Sequence, residues 1–226
     1  RVDATVFVSH ADAALAERTG LRYRGPTHVI PNGIPLPPAP QRRSSADERG
    51  THLLFVGRMV HQKHPEAFVE TMARMPGPVR AQMIGTGEKA EEIDALIAAH
   101  GLAGVERLDG LAHDAVLARM ADARLLVMTS RWEGLPTVAI EALLSGALVA
   151  GYDIPPLAEV LGDAAPDLLT PHDPEALAAR LGALLGDEAG RRALADRLHA
   201  EARARYAPEA MSRDYEALYE AVARSR

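Results

Sequence analysis

The stretch RLLVMTSRWEGLPTVAIEAL (residues 124–143) predicts a strand, a turn and a helix in direct succession. Residues 124–129 form a short apolar run of the kind that fills a covered parallel strand. Pro136 suits a first helical position, because its missing N–H would be unpaired there anyway. Apolar residues then recur along 137–145 with the spacing of a helix face. A strand that passes directly into a helix is the unit from which α/β domains are built.

The same alternation runs through most of the chain. Apolar and β-branched runs bounded by turn residues predict strands at 4–9, 27–30, 52–57, 80–84, 104–108, 124–129, 147–151 and 167–170. Helical patterns lie at 11–19, 65–75, 88–100, 113–121, 137–145, 156–162, 174–185, 188–205 and 208–224. Strand and helix alternate, which predicts an α/β fold of the Rossmann-like type, a parallel sheet with helices on both faces.

Composition narrows the function classes. The 226 residues can bury a substantial core, and 47% apolar with 25% charged residues is ordinary for a globular protein. A formal net charge of −6 gives no bulk electrostatic reason to expect a nucleic-acid partner. The chain has no cysteine and no apolar run of bilayer-spanning length. We therefore expect a cytoplasmic protein without disulfides, thiolate metal sites or a transmembrane segment.

The chain divides unevenly. Residues 35–50, rich in Pro, Ser and charge, are typical of a linker. Residues 1–34 hold two strands and one helix, too little for a core, and we interpret them as the end of a preceding domain. Residues 51–205 contain a full alternating unit of six strands, and 206–226 supply a last helix.

Two carboxylates flank the turn in the opening stretch. Glu133 is predicted in the loop before the helix and Glu141 in its second turn. Between them, the N–H groups of Gly134, Leu135 and Thr137 are expected to be free at the positive end of the helix dipole. Such an end can hold an anion such as a phosphate.

Other polar and glycine residues follow the neighbouring strands. In an open parallel sheet, ligands bind beyond the carboxyl ends of the strands. The residues predicted there are Gly57, Arg58 and Lys63 after one strand, Gly85, Thr86 and Gly87 after the next, and Gly110 and Leu111 after the third. Arg58 and Lys63 would surround a diphosphate with charge, and a carboxylate such as Glu141 can hold the two hydroxyls of a ribose. Together these residues predict a nucleoside-diphosphate site.

Simpler interpretations exist for each residue alone. Arg58 and Lys63 could be a solvated helix start. Glu133 could be an N-terminal helix charge with only dipole value, and Glu141 a surface position on its helix. Trp132, the only tryptophan, is interpreted as a packing residue or loop anchor rather than a stacking platform.

The segments around His61 and around His10 do not predict a metal site or a nucleophile. His61 and His64 have no third ligand nearby in sequence, so a metal site is not expected. Ser9, with Asp12 three residues on, is interpreted as a helix cap rather than a nucleophile.

In combination these motifs resemble retaining glycosyltransferases of the two-domain GT-B architecture, close to the family-four group. The resemblance rests on Gly57-Arg58 with Lys63, on the E-x7-E pair Glu133 and Glu141, and on Gly85-Thr86-Gly87 and Gly110. It covers about 51–205, the donor-binding C-terminal domain, while 6–17 and 28–34 look like the end of the N-terminal domain and its hinge.

The resemblance implies a role for each matched residue. Arg58 and Lys63 would bind the diphosphate and neutralise the leaving group, and Glu133 would contact the donor sugar. Glu141 would hold the ribose, with backbone at Gly134 and Leu135 near the phosphates or sugar and backbone near Leu111 at the nucleobase. The resemblance also implies transfer of a hexose-like sugar from a nucleotide-sugar donor to an unidentified acceptor, with retention and without a metal or cofactor. The last helix would return to the absent N-terminal domain, without which the chain is expected to be inactive.

Some positions depart from the family pattern. His64 replaces a usually small residue, and Pro155-Pro156 replaces a Gly-Gly pair, which removes two N–H donors. Asp153 and Glu159 remain as polar groups in that region. Two alternatives stay open: another GT-B enzyme, such as a sugar-nucleotide epimerase or a phosphorylase, and a catalytically silent nucleotide-binding or scaffolding module.

Overall fold

The computed structural model describes residues 3–21, 23, 25–35 and 53–224, and all its strands pair in parallel. The strands are β1 (Thr5–Phe7), β2 (Thr27–Val29), β3 (Leu53–Val56), β4 (Ala81–Ile84), β5 (Val105–Leu108), β6 (Leu125–Met128), β7 (Leu148–Tyr152) and β8 (Leu169–Thr170). The helices are α1 (His10–Arg18), α2 (Pro65–Ala73), α3 (Ala90–Ala99), α4 (His113–Asp122), α5 (Thr137–Leu144), α6 (Pro155–Leu161), α7 (Ala165–Leu168), α8 (Pro174–Gly186), α9 (Glu188–Tyr206) and α10 (Pro208–Arg224). A 3₁₀ turn at Gly162–Ala164 joins α6 to α7.

The main sheet has six strands in the order β5-β4-β3-β6-β7-β8. The chain enters at β3, moves outward through β4 and β5, and then returns to place β6 on the other side of β3. This is the strand order of a Rossmann-type sheet, and its direction reverses between β3 and β6. The predicted fold class is confirmed: an α/β unit with helices packed on a parallel sheet.

The centre of this sheet is the core of the protein. Strands β3 and β6 read LLFV and LLVM, and Leu53, Leu54, Leu125 and Leu126 are fully buried. Because helices cover both faces, these strands are apolar at consecutive positions rather than at alternate ones. That is why a short continuous apolar run, not an alternating one, predicted them.

The predicted strand at 167–170 is only half right. Residues Ala165–Leu168 form the short helix α7, and only Leu169 and Thr170 pair with β7. Pro166 lies in the first turn of this helix, where its missing N–H leaves no bond unmade. The leucines of this segment are buried in either conformation, so the apolar pattern did not distinguish a helix from a strand.

The described residues among the first 35 form a small unit beside the main sheet. Among the strands that the structure describes, β1 and β2 pair only with each other, in a register that runs from Thr5 with Thr27 to Phe7 with Val29. Helix α1 lies between them in sequence, and the predicted cap is confirmed, since Ser9 Oγ accepts the N–H of Asp12 at 3.0 Å. The linker predicted at 35–50 lies outside the described residues, apart from its first. That 1–34 belong to a separate domain stays a prediction.

A carboxylate from the main unit also caps α1. The N–H groups of His10 and Ala11 donate to the two carboxylate oxygens of Glu159, each at 3.0 Å. Arg205 of α9 donates to the same side chain at 3.1 Å and to the backbone carbonyl of Glu159 at 2.9 Å. Glu159 therefore satisfies N–H groups that the first turn of α1 leaves without helical partners.

Across the described part of the chain, none of the helices is both long enough and apolar enough to span a bilayer.

Candidate active site

The candidate site lies where the order of the strands reverses. Lys63 follows β3 and Glu133 follows β6, and these two strands are neighbours. Their side chains meet in an ion pair, with Lys63 Nζ 2.6 Å from Glu133 Oε1. The two side chains are only 17% and 7% exposed, so the pair is largely withdrawn from water. Ligands of such sheets bind in this crevice, outside the carboxyl ends of the strands.

Ser130 adds a second donor to the same carboxylate. Its hydroxyl lies 2.6 Å from Glu133 Oε1, and the residue is buried. Ser130 was not among the residues singled out from the sequence. The signal that could have found it is the S-x-x-E spacing, which brings a hydroxyl three residues back toward a carboxylate.

Hydrogen bonds join the loop after β3 to the loop after β6. The Thr129 hydroxyl donates to the carbonyls of Lys63 and His64, at 3.2 and 2.9 Å. The Arg131 N–H donates to the Gln62 carbonyl at 2.8 Å, and Gln62 Nε2 donates to the Trp132 carbonyl at 3.1 Å. Lys63 and Glu133 are therefore held by loops that are fixed to each other.

His64 gives the β3 loop an unusual backbone. It has φ 49° and ψ 54°, a left-handed conformation that is uncommon for a residue other than glycine. Its ring contacts the Arg131 guanidinium at 2.8 Å, and burial together with that positive charge lowers the pKa of His64. His64, which replaces the usually small residue of the family pattern, thus occupies a tight turn between Lys63 and α2.

The loop after β4 packs directly on the loop after β3. A Cβ atom at Gly85 would overlap the carbonyl oxygen of Gly57, and one at Gly87 would overlap the carbonyl of Met59. Both glycines have positive φ, 148° and 157°. The Thr86 carbonyl accepts the N–H of Met59 at 2.8 Å. Gly85, Thr86 and Gly87 therefore lie at the carboxyl edge of the sheet, as predicted. Their contacts hold the loop after β4 against the loop after β3.

Gly57 and Arg58 differ in their surroundings. A Cβ at Gly57 would lie 3.4 Å from Cγ and Cδ of Lys63, so this glycine lets the lysine stem pass close to the backbone. Arg58 is exposed, and its guanidinium makes no hydrogen bond or ion pair with the residues that the structure describes. Its guanidinium is thus available to a ligand.

The start of α5 differs in detail from the prediction. The helix begins at Thr137, with Pro136 as its N-cap residue rather than its first helical one. The Thr137 N–H is not free, because it donates to the Leu135 carbonyl at 2.9 Å across the turn. The N–H groups of Gly134 and Leu135 donate no hydrogen bond to any part of the chain that the structure describes. Two of the three predicted donors therefore remain for an anion.

A residue of the amino-terminal unit also reaches this turn. A Cβ at Gly134 would lie 3.4 Å from Oδ2 of Asp12 on α1. Helix α1 thus begins beside the turn that carries the free N–H groups, a contact that the sequence did not indicate.

Glu141 faces a different loop from Glu133. It lies in the second turn of α5, as predicted, and its side chain is 19% exposed. Its Oε1 is 3.8 Å from Nε2 of His113, the first residue of α4. Burial raises the pKa of the Glu141 carboxyl, opposed in part by the nearby imidazole. Gly110 and Leu111 lie on the connection from β5 to α4, just before His113, and are exposed.

The loop after β7 begins α6. Pro155 and Pro156 occupy the first positions of that helix, where the absence of an N–H leaves no helical bond unmade. Glu159 is engaged by α1 and Arg205, as described above, while Asp153 is exposed. The two prolines thus fit the start of α6. Glu159 already accepts hydrogen bonds from α1 and Arg205, so its carboxylate is not available to a ligand.

Within residues 3–21, 23, 25–35 and 53–224, no three His, Asp or Glu side chains are grouped so that they could hold a metal ion.

The sequence matches the model of one protein family over residues 39–205, and that family is described as glycosyl transferases group 1. The chain belongs to this family. Its sheet is also the sheet of known GT-B glycosyltransferases. Sucrose-phosphate synthase of Thermosynechococcus elongatus superposes with a TM-score of 0.86 at 24% identity, over 100% of this chain and 60% of that one. Anabaena HepE, solved in complex with UDP and glucose, gives 0.84 at 20% identity, over 97% and 64%. At these identities the likeness shows the fold alone.

Curated glycosyltransferases are more similar in sequence. The chain is 37% identical over 124 residues to a 2-deoxystreptamine N-acetyl-D-glucosaminyltransferase of Streptomyces fradiae, which is 52% of this chain and 29% of that protein. It is 34% identical over 200 residues to a D-inositol 3-phosphate glycosyltransferase of Xylanimonas cellulosilytica, 78% of this chain and 46% of that protein. The chain thus spans less than half the length of either relative.

Proposed function

We propose that this chain is the donor-binding half of a retaining glycosyltransferase, which transfers a sugar from a nucleoside-diphosphate sugar to an acceptor. The observation that carries the proposal is the Lys63–Glu133 pair at the reversal of strand order, next to the free N–H groups of Gly134 and Leu135. The family match and the nucleotide-bound relatives of the same fold support a nucleotide sugar as the donor.

The positive groups at this edge are suited to a diphosphate leaving group. Negative charge grows on the diphosphate as the bond to the sugar breaks, and donors already in place stabilise that charge without reorganisation. In the proposal Arg58 supplies a free guanidinium fork, Lys63 a point charge, and the start of α5 its unpaired N–H groups and dipole. These groups would do the work without a metal ion.

The two carboxylates take different parts of the donor in this proposal. Glu133 contacts hydroxyls of the transferred sugar while its position is set by Lys63 and Ser130. Glu141, on the α4 side of α5, accepts the ribose hydroxyls, and the backbone near Leu111 meets the nucleobase. Retention of configuration follows from the resemblance, with a front-face route in which the departing phosphate helps to deprotonate the acceptor.

We propose further that the acceptor binds largely to a domain outside this chain, so that residues 1–226 bind donor but transfer little sugar. Full-rate transfer by this chain alone would contradict that part of the proposal.

Nucleotide binding is tested by thermal unfolding of the chain with UDP, GDP, ADP and dTDP and their sugar conjugates. One family of ligands should raise the unfolding midpoint, because a ligand at about a hundred times its Kd adds about 2.7 kcal/mol to stability. Arg58→Ala is the matched variant: its exposed side chain has no partner in the described chain, so it should keep the unliganded midpoint and lose most of the shift. If no nucleotide shifts the wild-type midpoint, the proposal fails.

Product analysis on the full-length protein distinguishes a transferase from a sugar-nucleotide epimerase. A transferase yields a glycosylated acceptor, whereas a sugar-nucleotide epimerase of the same architecture yields a changed donor or a free sugar. Donor consumption without a glycosylated product would favour the epimerase.

A further inference from the structure

Trp132 is an exposed aromatic side chain at the edge of the candidate site. It is 52% exposed, although tryptophan is a residue type that folding usually buries to a high degree. The side chain of Trp132 is therefore not part of the buried core, and its interpretation as a packing residue or loop anchor stays a prediction. Its indole instead lies beside the ring of His61, with 5.8 Å between the ring centroids and 53° between the planes. His61 is exposed as well.

The backbone beneath these two rings is fixed. Gln62, the residue after His61, accepts the Arg131 N–H and donates its side-chain amide to the Trp132 carbonyl. Each ring thus stands next to a residue that joins the two loops. A side chain exposed on a fixed backbone loses little freedom when a ligand packs on it, because the main chain is already ordered.

The position of the indole relates it to the proposed reaction. Trp132 directly precedes Glu133, which the proposed function places against the transferred sugar. The groups assigned to ribose and base, Glu141 and the loop of Leu111, belong to the β5–α4 side of α5. Trp132 lies in the loop between β6 and α5, beside His61 of the loop after β3. A second molecule that reacts at the donor sugar has to come close to Glu133, and the indole is the large apolar surface there.

The chemistry of an indole face selects a class of ligand. Its π-system is negative on the face, and it attracts the slightly positive C–H groups that line one face of a sugar or cyclitol ring. Ring hydroxyls at the edge of such a contact need hydrogen-bond partners, and the His61 imidazole supplies one.

We propose that Trp132 and His61 form the platform on which the saccharide or cyclitol ring of the acceptor packs. This inference rests on the proposed function, and it adds a contribution of this chain to a site assigned mainly to another domain. Trp132 is a binding and specificity residue in it and takes no part in proton transfer.

The test measures ring contact and nucleotide binding separately. Saturation-transfer difference NMR is recorded on the 226-residue chain, with UDP, GDP, ADP or dTDP present as the unfolding assay selects. The probes are methyl α-D-glucopyranoside, methyl α-D-galactopyranoside and myo-inositol. At least one should receive saturation on its ring C–H protons. Because Trp132 is the only tryptophan, its fluorescence is a second, site-specific report and should change with the same probe.

Three variants complete the experiment. Trp132→Ala should weaken probe binding at least about fivefold, and Trp132→Phe should retain part of it, because a smaller aromatic face remains. Tyr219→Ala is the matched control, an aromatic residue 66% exposed on α10, and should change nothing. The nucleotide-induced rise in unfolding midpoint should be the same in all of them.

The outcomes are distinguishable. No transfer to any probe, or transfer that persists in Trp132→Ala, overturns the platform while leaving nucleotide binding in place. A smaller nucleotide shift in Trp132→Ala also overturns it, because the indole would then stack on the donor's base. If no nucleotide shifts the wild-type midpoint, the proposed function fails first, and the platform fails with it.

Discussion

The loops after β3 and after β5 lie at the same edge of one sheet but are built differently. The β3 loop is held from two sides: the β4 loop packs against it at Gly85 and Gly87, and Thr129 bonds two of its carbonyls. The β5 loop is open. A Cβ at Gly110 would meet nothing within 4 Å, and Leu111 is 38% exposed.

This difference separates two tasks in one candidate site. Groups that stabilise developing charge act best when they are in place before the reaction, and the fixed β3 loop carries Lys63. A loop that contacts a nucleobase can adjust its position when the ligand arrives, and the open β5 loop is suited to that. The comparison predicts that substitutions in the β3 region will change chemistry and stability, and that substitutions in the β5 region will change affinity or preference.

The largest effect is expected from Lys63. In the full-length protein Lys63→Ala should lower kcat by about a thousandfold, or roughly 4 kcal/mol, because the cation proposed to stabilise the leaving group is lost. The same change leaves the largely buried Glu133 without its cation, so the unfolding midpoint should fall as well.

The double variant Lys63→Met with Glu133→Gln separates these two losses. It removes both charges and should recover much of the unfolding midpoint without recovering turnover. Near-normal turnover of folded Lys63→Ala would remove this residue from the mechanism.

The packing between loops gives the next largest effect. Gly85→Ala should destabilise the protein by roughly 2–3 kcal/mol, because a methyl group there overlaps the Gly57 carbonyl and φ is positive. Gly110→Ala, at the open loop, should change stability by less than about 0.5 kcal/mol. Urea unfolding of the two variants measures the contrast, and equal effects would show that the two loops are not held differently.

Glu141 should show opposite effects on binding and stability. Glu141→Gln removes the charged acceptor proposed for the ribose hydroxyls, so nucleotide affinity should fall about tenfold, or ~1.4 kcal/mol. Burial raises the pKa of this carboxyl in the folded state above its ordinary value of 4.5. The folded chain then holds a proton that the unfolded chain has lost, so ionisation lowers stability as the pH rises through this range.

The pH dependence of unfolding tests whether ionisation of Glu141 lowers the stability of the folded chain. The Gln variant should have the higher unfolding midpoint at pH 7.5, and the difference should narrow as the pH falls through the titration range of Glu141. A Gln variant less stable than wild type at pH 7.5 would mean that the attraction of His113 outweighs burial.

The smallest effect belongs to the open loop. Leu111→Ala should alter affinity for the preferred nucleotide by less than about threefold, or ~0.6 kcal/mol, because base contacts there are proposed to come from the backbone. Calorimetric titration with UDP and GDP gives both affinity and preference. A loss of tenfold or more would assign the Leu111 side chain itself to the base.

The order of the strands and helices could be predicted because the buried strands have a clear sequence pattern. Runs such as LLFV and LLVM are apolar without interruption, and glycine or turn residues bound them, so their positions could be stated within about two residues. The two carboxylates were also placed correctly, Glu133 in the loop and Glu141 in the second turn of α5. The strand predicted at 167–170 was only half right, because the leucines of this segment are buried whether it is a helix or a strand.

The contacts that define the site were beyond sequence reasoning. Lys63 and Glu133 are 70 positions apart, and only the neighbouring placement of β3 and β6 brings them together. The left-handed backbone of His64 and the bond between the Thr137 N–H and the Leu135 carbonyl depend on local turns that neither residue type signals. The roles proposed for Arg58, Lys63, Glu133 and Glu141, and a cytoplasmic location, stay predictions.

The cap that Glu159 gives to α1 has a consequence for the order of folding. The carboxylate is 148 and 149 positions from the N–H groups that it accepts. Closing so long a loop is entropically costly, and contacts of large sequence separation form slowly. The first turn of α1 should therefore gain protection from hydrogen exchange only after β7 and α6 are in place.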